Sequence, residues 1–484
     1  MKLNTLAAAV LVAGFASSQA MAASTDVALH GMVKSGTNWV MNDGFRKGSH
    51  GGLGINETGH FYALGNEAVS KLAISPVATW TADDGVYARA ELNFQHENYD
   101  GDNWDANSNA GGGYVKGMLF IGGFEFNPST EFWAGKTKDI DAFFTSNYDT
   151  GYMEDNGVGG GFQNMDLGFA KWDLNVMTFD NSNGPARSGD EYTYKYRTGG
   201  SGANVFSTWL KNIGGAGFDV NLRYITAPNK NAVWGKDDNG NPKLNDQFEQ
   251  DQFGNISDKK AKNGYTASVI YNTPGFLWAL DGWSKIIVQY GKGTGANSKA
   301  STAWYGDLAK ESEMFRVAVD GGINFTKDFS MLAFAFYEHN HAFTNYDFGY
   351  AKDTNQYLRN RDFLTFMVAP VYQFTSHFSL HTQLAYEHAN YSGAGWSDVK
   401  KGNHDFFKVT VAPTISLGQG FWGAPQIMAF VTYGKWDKSS ALAKLVKGGE
   451  NYTASTSWYD GSKVENPNPN TSAWLFGVQG EAYF

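Results

Sequence analysis

Three aromatic residues stand on the polar side of alternating segments. Trp283 shares parity with Lys285 and Gln289, Trp422 with Gln426 and Thr432, and Tyr483 with Gln479 and Glu481. An aromatic plane beside ionizable and amide groups joins broad van der Waals contact to hydrogen-bonding reach. That is chemistry for holding a solute weakly. Bond-making chemistry has little to work with. No serine stands in a G-x-S-x-G nucleophile motif, and the histidines are scattered. Glu338-His339-Asn340-His341 puts two imidazoles at i and i+2 on one strand face. No third ligand is identifiable, so the reading is an unmetallated strand end rather than a divalent site. Gly157 to Gly161 lacks the Lys-Ser/Thr of a phosphate cradle, and its glycines are expected to let a loop bend tightly. Cysteine is absent, which removes disulfides and thiolate metal sites. No enzyme activity, metal or cofactor is expected.

The elements that would carry these side chains are strands. Val86, Ala88, Ala90, Leu92 and Phe94 alternate with Tyr87, Arg89, Glu91, Asn93 and Gln95. Phe218, Val220, Leu222 and Tyr224 alternate with Asp219, Asn221 and Arg223. Tyr192, Tyr194 and Tyr196 oppose Thr193, Lys195 and Arg197, and Phe378, Leu380, Leu384 and Tyr386 oppose Ser379, His381, Gln383 and Glu387. A period of two is a strand touching two different environments. Charges keep to one parity, which predicts a barrel wall with lipid on one side and a polar lumen on the other. The final segment reads the same way. Trp474, Phe476, Val478, Gly480, Ala482 and Phe484 share one face, and the chain stops on the aromatic Phe484.

Composition agrees. There are 35 Phe, 25 Tyr and 15 Trp, yet mean hydropathy is only -0.39, so the aromatics sit singly among polar residues. Isolated aromatics within polar alternation suit interfacial girdles. Nothing approaches 18 consecutive apolar residues, so no transmembrane helix is expected. The net charge of -10 argues against a nucleic-acid partner. Met1-Lys2, the apolar run from Leu6 to Ala16 and Ala20-Met21-Ala22 form a secretory signal peptide over 1–22, leaving 23–484 as one barrel domain. Polar stretches at 98–113, 151–161, 227–263, 298–310 and 447–470 are expected as extracellular loops, and 324–328 and 373–377 as short periplasmic turns. Both chain ends on one side require an even strand number, and about 25 residues per strand plus loop gives roughly 16 to 18 strands.

Several stretches resemble the maltoporin (carbohydrate-specific porin) family, in that family's order. They are Leu64-Gly65-Asn66-Glu67, Phe132-Trp133-Ala134-Gly135-Lys136, Asn164-Met165-Asp166-Leu167-Gly168-Phe169, Trp283-Ser284-Lys285, Phe421-Trp422, Tyr433-Gly434-Lys435-Trp436-Asp437 and Phe476-Gly477-Val478-Gln479. The resemblance implies an 18-stranded, homotrimeric porin of a Gram-negative outer membrane, set in lipid, with an inward-folded constriction loop. It implies passive diffusion of maltose, maltodextrins or related oligosaccharides along an aromatic slide flanked by ionizable residues. Sugar rings have apolar C–H faces and hydroxyl rims, which match those two kinds of side chain. Carried over by position, the slide is Trp104, Trp283, Trp422, Tyr483 and Tyr152. The polar track and constriction are Lys34, Asp139, Asp141 and Asp149. Met32 and Lys71 replace slide aromatics, Ala63 and Ala73 replace charged track residues, and Asp139 and Asp141 stand near an arginine position. A general or cation-preferring porin on the same frame is the alternative.

Overall fold

The computed structural model describes residues 24–40, 46–47, 70–98, 113–138, 142–143, 151–153, 156–179, 203–226, 233–236, 242–244, 263–296, 308–344, 358–393, 402–436 and 472–484. Among them run eighteen long strands: β1 (Ser24–Val40), β2 (Ser70–Thr81), β3 (Tyr87–Asn98), β4 (Gly113–Gly122), β5 (Glu131–Lys138), β6 (Asn156–Asp166), β7 (Lys171–Phe179), β8 (Ala203–Ile213) and β9 (Phe218–Thr226), then β10 (Asn263–Phe276), β11 (Leu280–Gly293), β12 (Leu308–Thr326), β13 (Phe329–Thr344), β14 (Leu358–Thr375), β15 (Phe378–Gly393), β16 (Gly402–Ser416), β17 (Gln426–Trp436) and β18 (Ser472–Tyr483). Each pairs antiparallel with the next in sequence, and β18 pairs back onto β1. The sheet is a closed barrel. No helix among the described residues is long and apolar enough to cross a membrane, which says nothing of strands.

Side chains divide by parity, as the alternation predicts. On β14, Phe363, Thr365, Met367, Ala369, Val371 and Gln373 are buried, while Phe366, Tyr372 and Phe374 between them are exposed. The covered face includes Lys34, Arg223, Arg316, Asp320, Glu338, Glu387 and Lys408; the uncovered one includes Val27, Leu119, Leu222, Val411, Ile427 and Val478. Charge inside and hydrocarbon outside is the inverse of a water-soluble protein, and is stable where the outer solvent is lipid. The segment Tyr192 to Arg197 lies outside the described residues.

The two ends of the barrel differ. At one end the turns are tight: β12 reaches β13 through Lys327 and Asp328, and β14 reaches β15 through Ser376 and His377. These fall inside the expected turns 324–328 and 373–377. At the other end the connections are long, for example 227–262 and 437–471. One expectation fails. Gly157 to Gly161 is no loop but the first half of β6, laddered to β5 and β7. Its glycines serve close approach: a Cβ on Gly159 would strike the Val176 carbonyl, and one on Gly161 the Leu174 carbonyl.

Candidate functional site

The wall closes where β1 meets β18, and two of the expected site residues lie there. Tyr483 stands directly opposite Met32, and Lys34 stands between Glu481 on one side and Lys71 on the other. Lys34 is only 4% exposed, as its inward parity requires. Gln479 Nε2 donates to Glu481 Oε2 at 3.3 Å, and Gln426 Nε2 donates to Oε1 of the same carboxylate. The chain end is pinned here: Phe484 and Gly31 exchange backbone hydrogen bonds of 3.0 and 2.7 Å. Tyr483 is thus an inward-parity aromatic at the turn end of the barrel, partly uncovered.

Trp283 keeps the parity of Lys285 and Gln289 on β11, as expected, and faces Pro274 on β10 and Gly322 on β12. A Cβ at Gly322 would come within 2.7 Å of the indole Nε1, so the absence of a side chain makes room for the ring. Lys285 lies opposite Asp320, and Gln289 opposite Arg316. One aromatic and, further along, ionizable and amide groups therefore share one inward strip.

Trp422 departs from the expected geometry. It belongs to the turn 417–425 between β16 and β17, so it shares no strand parity with Gln426 and Thr432. Instead the turn reaches across β15 to β14, where Gln373 Oε1 accepts from Gly420 N at 3.3 Å. Phe421 stacks on the inward ring of His381 (centroids 5.8 Å apart, planes at 28°) and meets Trp422 edge to face at 4.8 Å. Ser416 Oγ donates to Gly418 O at 2.7 Å and tightens the base of the turn. Trp422 remains 44% exposed at the tight-turn end of the barrel.

Ionizable groups line the wall, and two networks of them stand out among the described residues. In the first, Glu131 accepts from Tyr87 OH (2.7 Å), Arg89 Nη2 (2.9 and 3.0 Å) and Gln163 Nε2 (2.6 Å). Arg89 also pairs with Glu91, which accepts from Lys116 Nζ at 2.6 Å, and its guanidinium lies 4.1 Å from the Phe120 centroid. In the second, Glu338 sits between two arginines. Its Oε1 accepts from Arg361 Nη2 at 2.7 Å and Asn340 Nδ2 at 2.5 Å, its Oε2 from Arg316 Nε at 2.8 Å. Arg316 Nη1 reaches Gln289 Oε1 at 3.1 Å. Buried charges are tolerated when paired and hydrogen-bonded, as these are. The buried side-chain carbonyl oxygens of Asn221, Gln383, Gln426 and Gln479 have no protein donor.

The LamB porin family model matches residues 27–484, nearly the whole chain. The chain belongs to the LamB porin family. Solved structures give remote likenesses. OmpT, an outer membrane protein of Vibrio cholerae in a trimer form, is 11% identical over 95% of this chain and 100% of its own, with a TM-score of 0.39. OccK11 of Pseudomonas aeruginosa is 7% identical over 95% and 96%, with a TM-score of 0.43. OmpF of Salmonella typhi, in complex with daunomycin, is 10% identical over 94% and 97%, with a TM-score of 0.40.

As a LamB porin with a closed barrel, this protein is a diffusion pore of the outer membrane. Of its expected site residues, Trp283, Tyr483 and Lys34 lie on the inward face and Trp422 at one mouth. Trp104, Asp139, Asp141 and Asp149 lie outside the described residues, as does Ala63. Tyr152 lies in a small hairpin, Ala142–Phe143 against Gly151–Met153, within the connection between β5 and β6. Nothing is described of its side chain. His339 faces outward: its Nδ1 meets Asp362 Oδ1 at 2.7 Å. Among the described residues no group of three His, Asp or Glu could hold a metal. The Arg89–Glu131 and Arg316–Glu338–Arg361 networks were missed. Parity marks each of them as inward, but only the register says which meet.

Proposed function

We propose that this LamB porin is a sugar-selective channel that passes maltose, maltodextrins or related oligosaccharides down their gradient. The observation that carries the reading is the inward strip of β11, where an indole seated over Gly322 shares one face with Lys285, two residues on, and with Gln289 and the Arg316–Glu338–Arg361 network, about 20 Å further along the strand. Sugar faces stack on the ring while hydroxyls exchange bonds with the charged neighbours. Trp422 and Tyr483 extend the path to the turn-side mouth; Trp104 and Tyr152, with Asp139, Asp141 and Asp149, would continue it through the constriction loop. Several weak stations bind enough to select and release fast enough to conduct. The working unit is a homotrimer embedded in outer-membrane lipid, made from a precursor whose residues 1–22 are removed on export.

The test is single-channel conductance in a planar bilayer, titrated with maltohexaose, sucrose and chitooligosaccharides. Concentration-dependent block that weakens in Trp283→Ala and Trp422→Ala supports the reading, and the strongest blocker names the class of sugar. Indifference to every sugar would leave the general porin, which the loss of aromatics at Met32 and Lys71 favours. A strong cation preference in that case would identify the acidic constriction as the filter.

A further inference from the structure

β8 carries an indole outside the positions that the family resemblance supplies. Trp209 lies in direct register with Asp173 on β7 and with Asn221 on β9. Asp173 and Asn221 are buried on the inward face, whereas Phe206 and Leu222, of the opposite parity, are exposed. Residues in register share a face, so the Trp209 ring stands on the inward one. Two residues on, Lys211 places its ammonium 6.0 Å from the indole centroid and closes an ion pair with Asp173. Asp173 Oδ1 also accepts from Asn164 N at 2.7 Å, which fixes the carboxylate.

A run of inward polar groups joins this indole to Trp283. Lys285, two residues from Trp283, is in register with Asn272 on β10. Asn272 Nδ2 donates to Asp219 Oδ2 at 3.2 Å, and Asp219 Oδ1 accepts from the backbone N–H of Asn212, next to Lys211, at 2.7 Å. Lys285, Asn272, Asp219 and Lys211 keep the parity of the buried Gln289, Ser268, Asn221 and Ser207 on their own strands. The run lies at the turn end of β8 to β11, where the wall is open to solute. The Lys211 side chain is 38% exposed, against 0% for Gln289 and 8% for Arg316 further along. Both indoles are half-buried. From β8 to β11 is three strand spacings, about 14 Å around the wall. A single pyranose touches one ring, and a chain of linked pyranoses touches both.

We propose that Trp209 and Trp283 form a two-ring docking station for linear oligosaccharides at the turn-side mouth, and that the station discriminates by chain length. The inference rests on the sugar-channel reading above. Each ring takes the apolar C–H face of one sugar unit. Between them, Lys211 and Asn272 donate to hydroxyls, and Asp219 accepts from them. Once one ring is engaged, contact with the second is intramolecular, so a chain that spans both gains far more than a short sugar that sits on either.

The test is block of single-channel conductance by maltose and by maltohexaose in the wild type, Trp209→Ala, Trp209→Phe and Lys211→Met, with heat-modifiable gel mobility showing each barrel intact. Trp209→Ala should weaken maltohexaose block about fivefold or more and maltose block less than about twofold, because the short sugar still has Trp283. Trp209→Phe should recover most of the loss, since a flat ring suffices, and Lys211→Met should weaken maltohexaose block about threefold. Unchanged maltohexaose block in Trp209→Ala, or equal losses for the two sugars, overturns the station while leaving the sugar channel standing. A wild type that neither sugar blocks overturns both. If Trp209→Ala fails to close its barrel, Lys211→Met alone decides, and maltohexaose block equal to wild type in that variant overturns the station.

Discussion

Trp283 and Gly322 occupy paired positions on neighbouring strands, and the indole takes the space that a side chain at residue 322 would fill. Any Cβ there must displace the ring. Gly322→Val should therefore tilt Trp283 off the wall and weaken maltohexaose block about tenfold, equivalent to roughly 1.4 kcal/mol of binding. Open-channel conductance should change far less. Unaltered block constants would show that Trp283 is not a sugar contact.

Tyr483 lies opposite Met32, where the family resemblance leads one to expect an aromatic. A flexible thioether covers surface without offering a flat face. Met32→Trp should add a plane beside Tyr483 and lengthen sugar residence about five- to tenfold in block kinetics, within the roughly 1 kcal/mol scale of one aromatic contact. A residence time no longer than wild type would count against stacking at the seam.

His381 carries the ring on which Phe421 rests, and Phe421 in turn abuts Trp422. Removing the ring in His381→Ala should free the turn 417–425 and reduce block by sugar added from the turn side more than by sugar added from the other. His381→Phe should restore it, because a flat ring suffices. Gln373→Leu removes the acceptor for Gly420 N and should mimic His381→Ala. Identical behaviour of the Ala and Phe variants would mean that stacking is not what holds Trp422.

Glu338 neutralises part of the charge of Arg316 and Arg361 from between them. Replacing it by Gln leaves the inner wall one unit more positive. The reversal potential in a salt gradient should move toward anion preference, with the shift shrinking at high ionic strength as screening grows. No movement would place the network away from the conducting path.

Gly161 packs its backbone against the Leu174 carbonyl. Gly161→Ala forces β6 and β7 apart, an overpacking cost of about 1–3 kcal/mol. The temperature at which the barrel loses its compact gel mobility should fall measurably. Gly168→Ala is the control for volume alone: its position is open, although its φ of +81° adds some backbone strain.

Much of the wall could be read in advance because its physics is local. Alternation of two fixes which side chains share a face, so Arg89 and Glu91, Asn221 and Arg223, and Gln479 and Glu481 could be assigned inward without knowing their neighbours. Register is not local. Nothing in Tyr337-Glu338-His339 announces that Asp362 lies opposite, or that Arg316 and Arg361 will share Glu338. The reading of Trp422 failed for a related reason: parity was carried past the end of β17 into a turn, where it has no meaning. Gly157 to Gly161 misled because glycine serves both tight bends and close strands, and only the ladder partners tell them apart.

The closure of β18 onto β1 separates this wall's contacts into two kinds. Every other ladder joins strands that follow one another in the chain, so each can form as a hairpin with a modest loop-closure cost. The last ladder brings together the first and last of the described barrel strands, the contact of longest sequence separation in the sheet. Non-local pairings of that sort form slowly. Until it zips, the sheet presents two bare edges, each a template for a foreign strand. Assembly therefore has one vulnerable step. A chaperone or membrane machine that shields those two edges would govern the yield of this pore more than any side chain within it.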